Sequence, residues 1–301
     1  MKPVITLIGP TAVGKTRLCL ELSKYGTIEV ISADSRQIYR GMDIGTGKPT
    51  PKEREKVPHH FIDIKDPDEM YSAYEFGKDC REKVNEIRSR GNVPIICGGT
   101  IFYIKALIDG MFPEPEIPPE IRRKVRKQIK VEPERLYKEL EKIDPESARR
   151  IHRNDSQRIA RAIEVYKASG ITLTEYWKKE NTNRLPLDLY CLLPKKEEVY
   201  KNIEKRVKKM FDNGFLEEVK NLLNKGYDPS LYSFTSIGYK EIAEFIMGKR
   251  EEVYREVKDE IIRETKKYAS RQITFIKGLS NVKIFKTSQT MKESLVEKIS
   301  K

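Results

Sequence analysis

Residues 9–16 are the stretch whose residue types and spacing point most directly to chemistry. Their sequence, G-P-T-A-V-G-K-T, matches the phosphate-loop pattern G-x-x-x-x-G-K-[ST]. Glycines let backbone N–H groups turn towards an anion, and the N-terminus of a following helix adds partial positive charge. Lys15 can then reach phosphate oxygens, and the Thr16 hydroxyl can hold Mg²⁺. The pattern predicts a site for a diphosphate or a triphosphate.

Asp34 is the second candidate for chemistry. It follows the apolar run 28–33, a predicted strand, and so lies at the edge where open α/β sheets bind ligands. Three roles stay open for it: Mg²⁺ ligand, general base, or cap of the following turn. The strand predicted at 93–97 ends in Cys97 and Gly98, without the acid that a phosphate-loop hydrolase usually carries there. We therefore expect the loop to hold a diphosphate without hydrolysing a nucleotide.

The segments that must position these residues alternate between strand and helix patterns. Strands are predicted at residues 4–8, 28–33, 61–64, 93–97 and 189–193. This alternation predicts an α/β fold, a P-loop NTPase-like parallel sheet flanked by helices. A helix predicted at 199–211 carries Arg206 near its inner edge. The tail after about residue 288 is expected to be dispensable.

An all-helical insertion is predicted within this sheet protein. The proline-rich segment 111–119 marks a boundary, and short basic helices follow it to about residue 185. The predicted domains are a core domain (1–112), a helical insertion (113–187) and the second part of the core (188–301). On the helix predicted at 157–169, Arg158 and Arg161 share a face, which suits phosphate contacts but is also typical of a solvated helix.

Charge is distributed unevenly along the chain, whose formal net charge is +13. Residues 1–110 hold 17 basic and 15 acidic side chains, and the remainder holds 42 and 31. This asymmetry favours a polyanionic partner bound outside the phosphate-loop region, although a solubilising surface would have the same composition.

Other features of the composition exclude several classes of protein. The four cysteines are widely spaced and form neither a C-x-x-C pair nor a metal-ligand pattern, so reduced thiols are expected. There is no signal-peptide pattern, and no apolar stretch approaches the ~18 residues that a membrane span needs. We expect a soluble, cytoplasmic protein, and nothing in the sequence demands more than a monomer.

Five motifs together resemble those of the tRNA dimethylallyltransferases, also called tRNA isopentenyltransferases. They are G-P-T-A-V-G-K-T, D-S-R-Q-I-Y-R-G-M-D-I-G-T-G-K-P, C-G-G-T, Q-R-I-A-R and R-Q-I-T-F, spanning residues 9–275. The resemblance implies Mg²⁺-dependent transfer of a dimethylallyl group from dimethylallyl diphosphate to a tRNA. The acceptor would be the exocyclic amine of the adenosine just 3′ of the anticodon. The sequence has no C-terminal Cys/His cluster, which implies a bacterial-type enzyme without a zinc-finger extension.

The resemblance also implies roles for individual residues. Asp34 would be the general base, and Thr11, Lys15 and Arg206 would surround the diphosphate. The diphosphate cradle would be Gly9, Pro10, Thr11, Ala12, Val13, Gly14, Lys15 and Thr16, with Mg²⁺ on Thr16. The tRNA contacts would be Asp34, Ser35, Arg36, Gln37, Thr100, Arg122, Gln157, Arg158, Ile159, Ala160, Arg161, Thr235, Ser236, Ile237, Gly238, Tyr239 and Lys240. The family often has arginine where this chain has Thr235 and Lys240, which leaves the base contacts of this segment open.

Three alternatives compete with this interpretation. An adenylate isopentenyltransferase would share the core but would not need a basic helical insertion. A phosphate-loop kinase or RNA-binding NTPase is disfavoured by the missing acid after residues 93–97. A non-catalytic RNA-binding module is disfavoured by the combination of Lys15, Thr16, Asp34 and Arg206.

Overall fold

The chain forms two compact units. The structure, a computed structural model, describes residues 2–111, 115–178, 184–249 and 254–300. Residues 1–108 and 185–301 form one unit, called here the core unit, and residues 109–184 form the other, the helical unit. The predicted domain boundaries after residues 112 and 187 lie a few residues further along the chain.

The core unit is built on a six-stranded sheet. Its strands are β1 (Val4–Ile8), β2 (Ile28–Ala33), β3 (His59–His60), β4 (Val93–Gly98), β5 (Leu187–Leu192) and β6 (Lys283–Phe285). They lie in the order β3-β2-β4-β1-β5-β6, and all the pairs are parallel. The α/β fold with a parallel sheet is thus confirmed. Since β4 lies between β1 and β2, the chain crosses over at this point, and ligands of such sheets bind beyond the carboxyl ends of the strands.

Buried apolar runs explain the central strands. β1 and β2 are buried along their whole length, which is typical of parallel strands covered on both faces. The strands predicted at 4–8, 28–33, 93–97 and 189–193 therefore agree with the structure to within two residues at each end.

The strand predicted at 61–64 is wrong. The chain pairs with β2 only at His59 and His60, through Val30 and Ile31. Phe61 has φ 63° and Asp63 has φ 57°, left-handed conformations that cannot continue a strand.

Helices cover both faces of the sheet. In the core unit they are α1 (Lys15–Leu22), α2 (Pro51–Lys56), α3 (Ala73–Ser89), α4 (Ile101–Asp109, which runs one residue into the helical unit), α10 (Lys196–Asp212), α11 (Phe215–Asn224), α12 (Tyr239–Ile246), α13 (Tyr254–Lys277) and α14 (Ser288–Ile299), with a 3₁₀ helix at Tyr232–Thr235. The short α2 was not predicted. It begins with a capping box in which Thr50 and Glu53 satisfy each other's backbone N–H groups.

The expectation that the tail after residue 288 is dispensable is also wrong. Met291, Leu295 and Ile299 of α14 are at most 3% exposed. They belong to the same apolar cluster as Leu18 and Leu22 of α1, and burying such side chains contributes about 1.5–3 kcal/mol each. The tail is therefore part of the core.

The helical unit has its own apolar core. Its helices are α5 (Pro119–Val131), α6 (Pro133–Ile143), α7 (Pro145–Arg150), α8 (Ser156–Ser169) and α9 (Leu173–Lys178). The buried side chains of Val125, Leu140 and Ile163 lie in one cluster. The carboxylate of Asp144 accepts hydrogen bonds from the hydroxyl and N–H groups of both Ser147 and Thr174, which ties α7 to α9.

Candidate functional site

The phosphate loop, residues 9–16, joins the end of β1 to the first turn of α1. Gly14 has φ 89° immediately before the helix, a conformation that favours glycine. Gly9 approaches β5 so closely that a Cβ atom there would lie 2.6 Å from the carbonyl oxygen of Leu192. Backbone geometry thus accounts for both glycines, and the N-terminus of α1 provides the partial positive charge expected at an anion site.

Two half-buried cations lie against this loop. Lys15 Nζ donates hydrogen bonds of 2.9 Å to the carbonyl oxygens of both Gly9 and Pro10. Arg206, from α10, donates from Nη1 to Thr11 Oγ1 at 3.1 Å and from Nη2 to the Thr46 carbonyl oxygen at 3.0 Å. Burial lowers the pKa of both Lys15 and Arg206, whereas the nearby carboxylate of Asp34 raises it. The Arg206 predicted near the helix's inner edge therefore reaches the phosphate loop.

Asp34 follows β2 at the same edge of the sheet. Its Oδ1 accepts hydrogen bonds from the backbone N–H groups of Arg36 at 2.9 Å and Gln37 at 3.4 Å. Asp34 therefore does cap the following turn, one of the three roles left open by the sequence. Because Oδ1 makes these bonds, the carboxylate is held in one orientation, and it lines the same cavity as Lys15 and Arg206.

The loop between Asp34 and Pro49 is shaped by a carboxylate that sequence reasoning missed. Glu218 of α11 accepts hydrogen bonds from three consecutive backbone N–H groups, those of Asp43, Ile44 and Gly45, at 2.7–3.2 Å. It also accepts one from the Tyr239 hydroxyl at 2.6 Å. The only sequence signal for Glu218 was its position in an amphipathic helix.

Lys48 fixes the other end of this loop. Its ammonium group is almost fully buried and donates hydrogen bonds to the Tyr39 carbonyl oxygen and to the carboxylates of Asp43 and Asp63. Asp63 is also paired with Arg54 at 2.7 Å. Glycine at 47 is required here, since its φ is 63° and a Cβ atom would lie 2.5 Å from Arg206 Nη2. These contacts explain why the glycine-rich motif has glycine at position 47 and lysine at position 48.

Helix α13 supplies the remaining wall. Tyr268 and Gln272, one turn apart, both line the cavity, and burial raises the pKa of Tyr268 to about 12. The motif R-Q-I-T-F contains Gln272, but nothing in the sequence indicated which partners it meets.

These segments enclose a cavity of about 490 Å³. Its lining consists of Thr11, Ala12, Val13, Gly14, Lys15, Thr16, Ser32, Asp34, Gln37, Thr46, Gly47, Cys97, Gly98, Gly99, Asn202, Arg206, Tyr268 and Gln272. Two cations, loop N–H groups and one carboxylate thus face a single space. Such a space can hold an anionic leaving group beside a proton acceptor.

Several residues expected to contact tRNA cluster next to this cavity. The Thr100 hydroxyl accepts a hydrogen bond of 3.0 Å from the N–H group of Ser35. The Arg36 guanidinium lies 4.6 Å from the Tyr232 ring centroid and donates to the Tyr232 carbonyl oxygen and to Thr235 Oγ1, both at 3.0 Å. Gln37 accepts a hydrogen bond from Ser32 at 2.9 Å. The structure therefore brings residues 34–37, Thr100 and Thr235 together.

The segment 235–240 is less accessible to a tRNA than expected. The side chains of Ser236 and Tyr239 are buried, the first donating to the Ser233 carbonyl oxygen and the second to Glu218. Gly238, with φ 97°, is the N-cap residue immediately before α12. Of the two positions where the family often has arginine, Thr235 accepts from Arg36, and Lys240 is exposed near Glu244.

The expected tRNA contacts in the helical unit fall on α5 and α8. Gln157 and Arg158 are exposed, and Arg158 pairs with Asp155 at 3.2 Å. Ile159 and Ala160 are buried in the core of the helical unit, and their contact with tRNA stays a prediction. The remaining expected contacts, Arg122 and Arg161, are half-buried.

Within the described ranges, no three His, Cys, Asp or Glu side chains come together as a metal cluster. All four cysteines are buried and free of disulfides. Among the helices that the structure describes, none combines the length and apolar character needed to cross a bilayer.

A phosphate loop after the central strand of a parallel sheet, with a cationic cavity at its carboxyl edge, defines a P-loop-type α/β protein. The family model described as IPP transferase matches residues 37–279. The chain belongs to the IPP transferase family.

Individual relatives agree with this assignment. A tRNA dimethylallyltransferase of Thermotoga neapolitana is 42% identical over 95% of this chain and 93% of its own length. The crystal structure of the tRNA isopentenylpyrophosphate transferase of Bacillus halodurans is 33% identical, with a TM-score of 0.71 over 100% of this chain and 96% of that one. A eukaryotic dimethylallyltransferase acting on tRNA has a TM-score of 0.78 at 28% identity, over 96% of this chain and 75% of that one.

Proposed function

We propose that this chain transfers a dimethylallyl group from dimethylallyl diphosphate to the exocyclic amine of the adenosine 3′-adjacent to the anticodon of tRNA. The observation that carries the proposal is the cavity in which Asp34 lies with Lys15 and Arg206. It combines a proton acceptor with cations for a leaving group. The names of the full-length relatives supply the reaction that fits this combination.

The leaving group is diphosphate. As the carbon–oxygen bond of the donor breaks, its electron pair stays on the diphosphate oxygen, and fixed donors facing that oxygen lower the barrier. Lys15, Arg206, the Thr11 hydroxyl and the N–H groups of residues 9–16 take this role. An ammonium group has three N–H donors, and Lys15 uses two of them in hydrogen bonds to its own loop. The third N–H group is the one that would face the diphosphate.

Magnesium fits this donor set. Mg²⁺ prefers oxygen ligands and usually keeps several waters while binding one or two protein groups and substrate phosphates. Thr16 lines the cavity with its hydroxyl group in the first turn of α1, and we propose that it holds the ion together with the diphosphate. When bound, Mg²⁺ neutralises diphosphate charge.

Asp34 acts as the general base. The amine nitrogen forms the new bond to the allylic carbon and must lose one proton, which passes to the Asp34 carboxylate. The capping bonds to Oδ1 orient the carboxylate, since they come from the rigid backbone of the turn. General-base catalysis of this kind contributes about 10²–10⁴-fold.

The acceptor adenosine must leave its stack to reach the cavity. We propose that Ser35, Arg36, Gln37 and Thr100 contact the flipped nucleotide. The helical insertion would grip the anticodon stem-loop through Arg122, Gln157, Arg158 and Arg161, because basic side chains bind the phosphate backbone. Segment 235–240 would contribute through Thr235, Ile237 and Lys240.

We further propose that the protein acts as a cytoplasmic monomer. Four free, buried thiols suit a reducing compartment.

The test incubates the protein with labelled dimethylallyl diphosphate, Mg²⁺ and either tRNA or AMP. Label in the tRNA nucleoside 3′ of the anticodon is the expected result. Label in AMP alone would replace the proposal with an adenylate isopentenyltransferase. ATP hydrolysis without prenyl transfer would indicate an NTPase.

A further inference from the structure

Gln272 of α13 joins two loops at the floor of the cavity. Its side chain is 3% exposed. Oε1 accepts a hydrogen bond of 3.0 Å from the backbone N–H group of Thr11, and Nε2 donates one of 2.8 Å to the carbonyl oxygen of Gly99. Thr11 follows β1 and Gly99 follows β4, so one carboxamide from the C-terminal half of the chain spans the ends of two adjacent strands.

The fit around this carboxamide is tight. A Cβ atom at Gly99 would lie 2.4 Å from Gln272 Nε2 and 3.0 Å from the carbonyl oxygen of Gly9. Glycine at 99 therefore allows Gln272 to reach both loops. Since a buried carboxamide whose oxygen and nitrogen are both bonded has little freedom to rotate, it holds its partners in place.

The residue that Gln272 holds is also the residue that Arg206 binds. Arg206 Nη1 donates to Thr11 Oγ1 at 3.1 Å, and Nη2 donates to the Thr46 carbonyl oxygen at 3.0 Å. The contacts thus run from Gln272 through Thr11 to Arg206 and on to the 34–49 loop. A shift of Thr11 would displace both its hydroxyl and the guanidinium from the leaving group.

We propose that Gln272 is a positioning residue for the donor diphosphate, acting through the backbone of Thr11 to set the Thr11–Arg206 pair. The proposal rests on the proposed function for the identity of the donor. A direct contact between Gln272 and a substrate is the rival explanation, because its side chain also lines the cavity.

The experiment is a double-mutant cycle that combines Gln272→Met with Thr11→Val. The first change keeps the side-chain length and removes both hydrogen bonds, and the second removes the hydroxyl that Arg206 binds. The readouts are the Kd for inorganic diphosphate with Mg²⁺, measured by calorimetry, and KM and kcat for dimethylallyl diphosphate. Gln289→Met on the exposed face of α14 is the matched control.

Gln272→Met is expected to raise the Kd for diphosphate and the donor KM about tenfold, because Thr11 and Arg206 are then no longer held in place to face the leaving group. Within the Thr11→Val background the same change should have at most about a twofold effect, because the two act in series. Gly99→Ala should behave like Gln272→Met, and the tRNA Kd should stay within about twofold. Gln272→Asn, which keeps a carboxamide but falls one methylene short of both partners, should shift the diphosphate Kd in the same direction.

Two results would overturn the proposal. If the fold-change in diphosphate Kd of the double variant equals the product of the two single fold-changes, Gln272 acts independently of Thr11. If the diphosphate Kd is unchanged in the folded Gln272 variants, Gln272 does not position the site. Diphosphate binding requires no transfer, so a wild-type protein that binds diphosphate but prenylates no tRNA would refute the proposed function alone.

Discussion

The Glu218 carboxylate accepts a hydrogen bond of 2.6 Å from the Tyr239 hydroxyl while it also binds three consecutive N–H groups of the 34–49 loop. The two side chains thereby join α11, α12 and the loop that follows Asp34. Burial and then the Glu218 charge raise the pKa of Tyr239, so the phenol stays a donor at any physiological pH.

Glu218→Ala should loosen the 34–49 loop. Several hydrogen bonds to a charged group disappear, so we expect a loss of about 3 kcal/mol in the free energy of unfolding and faster proteolysis within the loop. The control is Glu217→Ala, at an exposed neighbouring position. Tyr239→Phe should cost about 1 kcal/mol. Equal protease resistance of the Glu218 and Glu217 variants would show that the loop does not depend on this carboxylate.

Asp34→Asn tests the general base. The amide oxygen can still cap the turn, but it accepts no proton from the acceptor amine. We expect the single-turnover rate to fall about 10²–10⁴-fold with tRNA affinity nearly unchanged. Asp68→Asn, at an exposed position, is the control. A single-turnover rate within twofold of wild type would rule out the base role.

Arg158→Gln with Arg161→Gln tests the helical unit. If each arginine meets a phosphate, the salt dependence of tRNA binding should become shallower by about one unit of slope per contact. Lys52→Gln with Lys56→Gln, on the exposed surface of α2, removes the same charge elsewhere. Identical salt slopes for the two double variants would indicate a merely solvated helix face on α8.

The stability of the core unit should depend on Glu29. Burial raises the pKa of its carboxyl group, but hydrogen bonds from Arg90, Asn92 and His60 lower it by more. The net effect is a pKa lowered from the ordinary 4.5 to about 2. Because the folded pKa lies below the unfolded one, the contribution is complete above about pH 4.5 and disappears as the pH falls towards 2. It amounts to about 3 kcal/mol.

Glu29→Gln measures this contribution directly. Urea denaturation near pH 7 should show the variant less stable than wild type by that amount, and near pH 3 the difference should shrink. Glu86→Gln, whose exposed carboxylate also pairs with Arg90, is the control. A difference that stays constant between the two pH values would contradict the assigned pKa.

The sequence predicted those parts of the fold whose signals are local. Uninterrupted apolar runs identified β1, β2, β4 and β5. The strand β3 was misplaced, since its residues His59 and His60 are polar and are held by contacts with distant groups, His60 by Glu29 at 2.6 Å. For α14 the signal was present, because Met291, Leu295 and Ile299 recur every four residues. What the sequence did not show was the surface of α1 that they cover.

The same distinction between local and distant signals applies to the residues of the candidate site. The phosphate loop and Asp34 follow from residue type and position after a strand. Glu218 and Gln272 do not, because each owes its place to hydrogen bonds with residues far away in the chain. Arg206 could be placed near an inner helix edge, but its partner Thr11 came only from the family resemblance. Side chains that hold a loop from a distance carry no local pattern.

The packing of α14 against α1 links the two ends of the chain in time as well as in space. The ribosome makes α1 long before α14, since nearly the whole described chain lies between them. Until α14 emerges, Leu18 and Leu22 lack the Met291, Leu295 and Ile299 side chains that share their apolar cluster in the folded protein. A nascent chain that stops short of α14 therefore exposes an apolar helix face directly behind its phosphate loop, and transiently exposed surface of this kind favours aggregation before folding is complete.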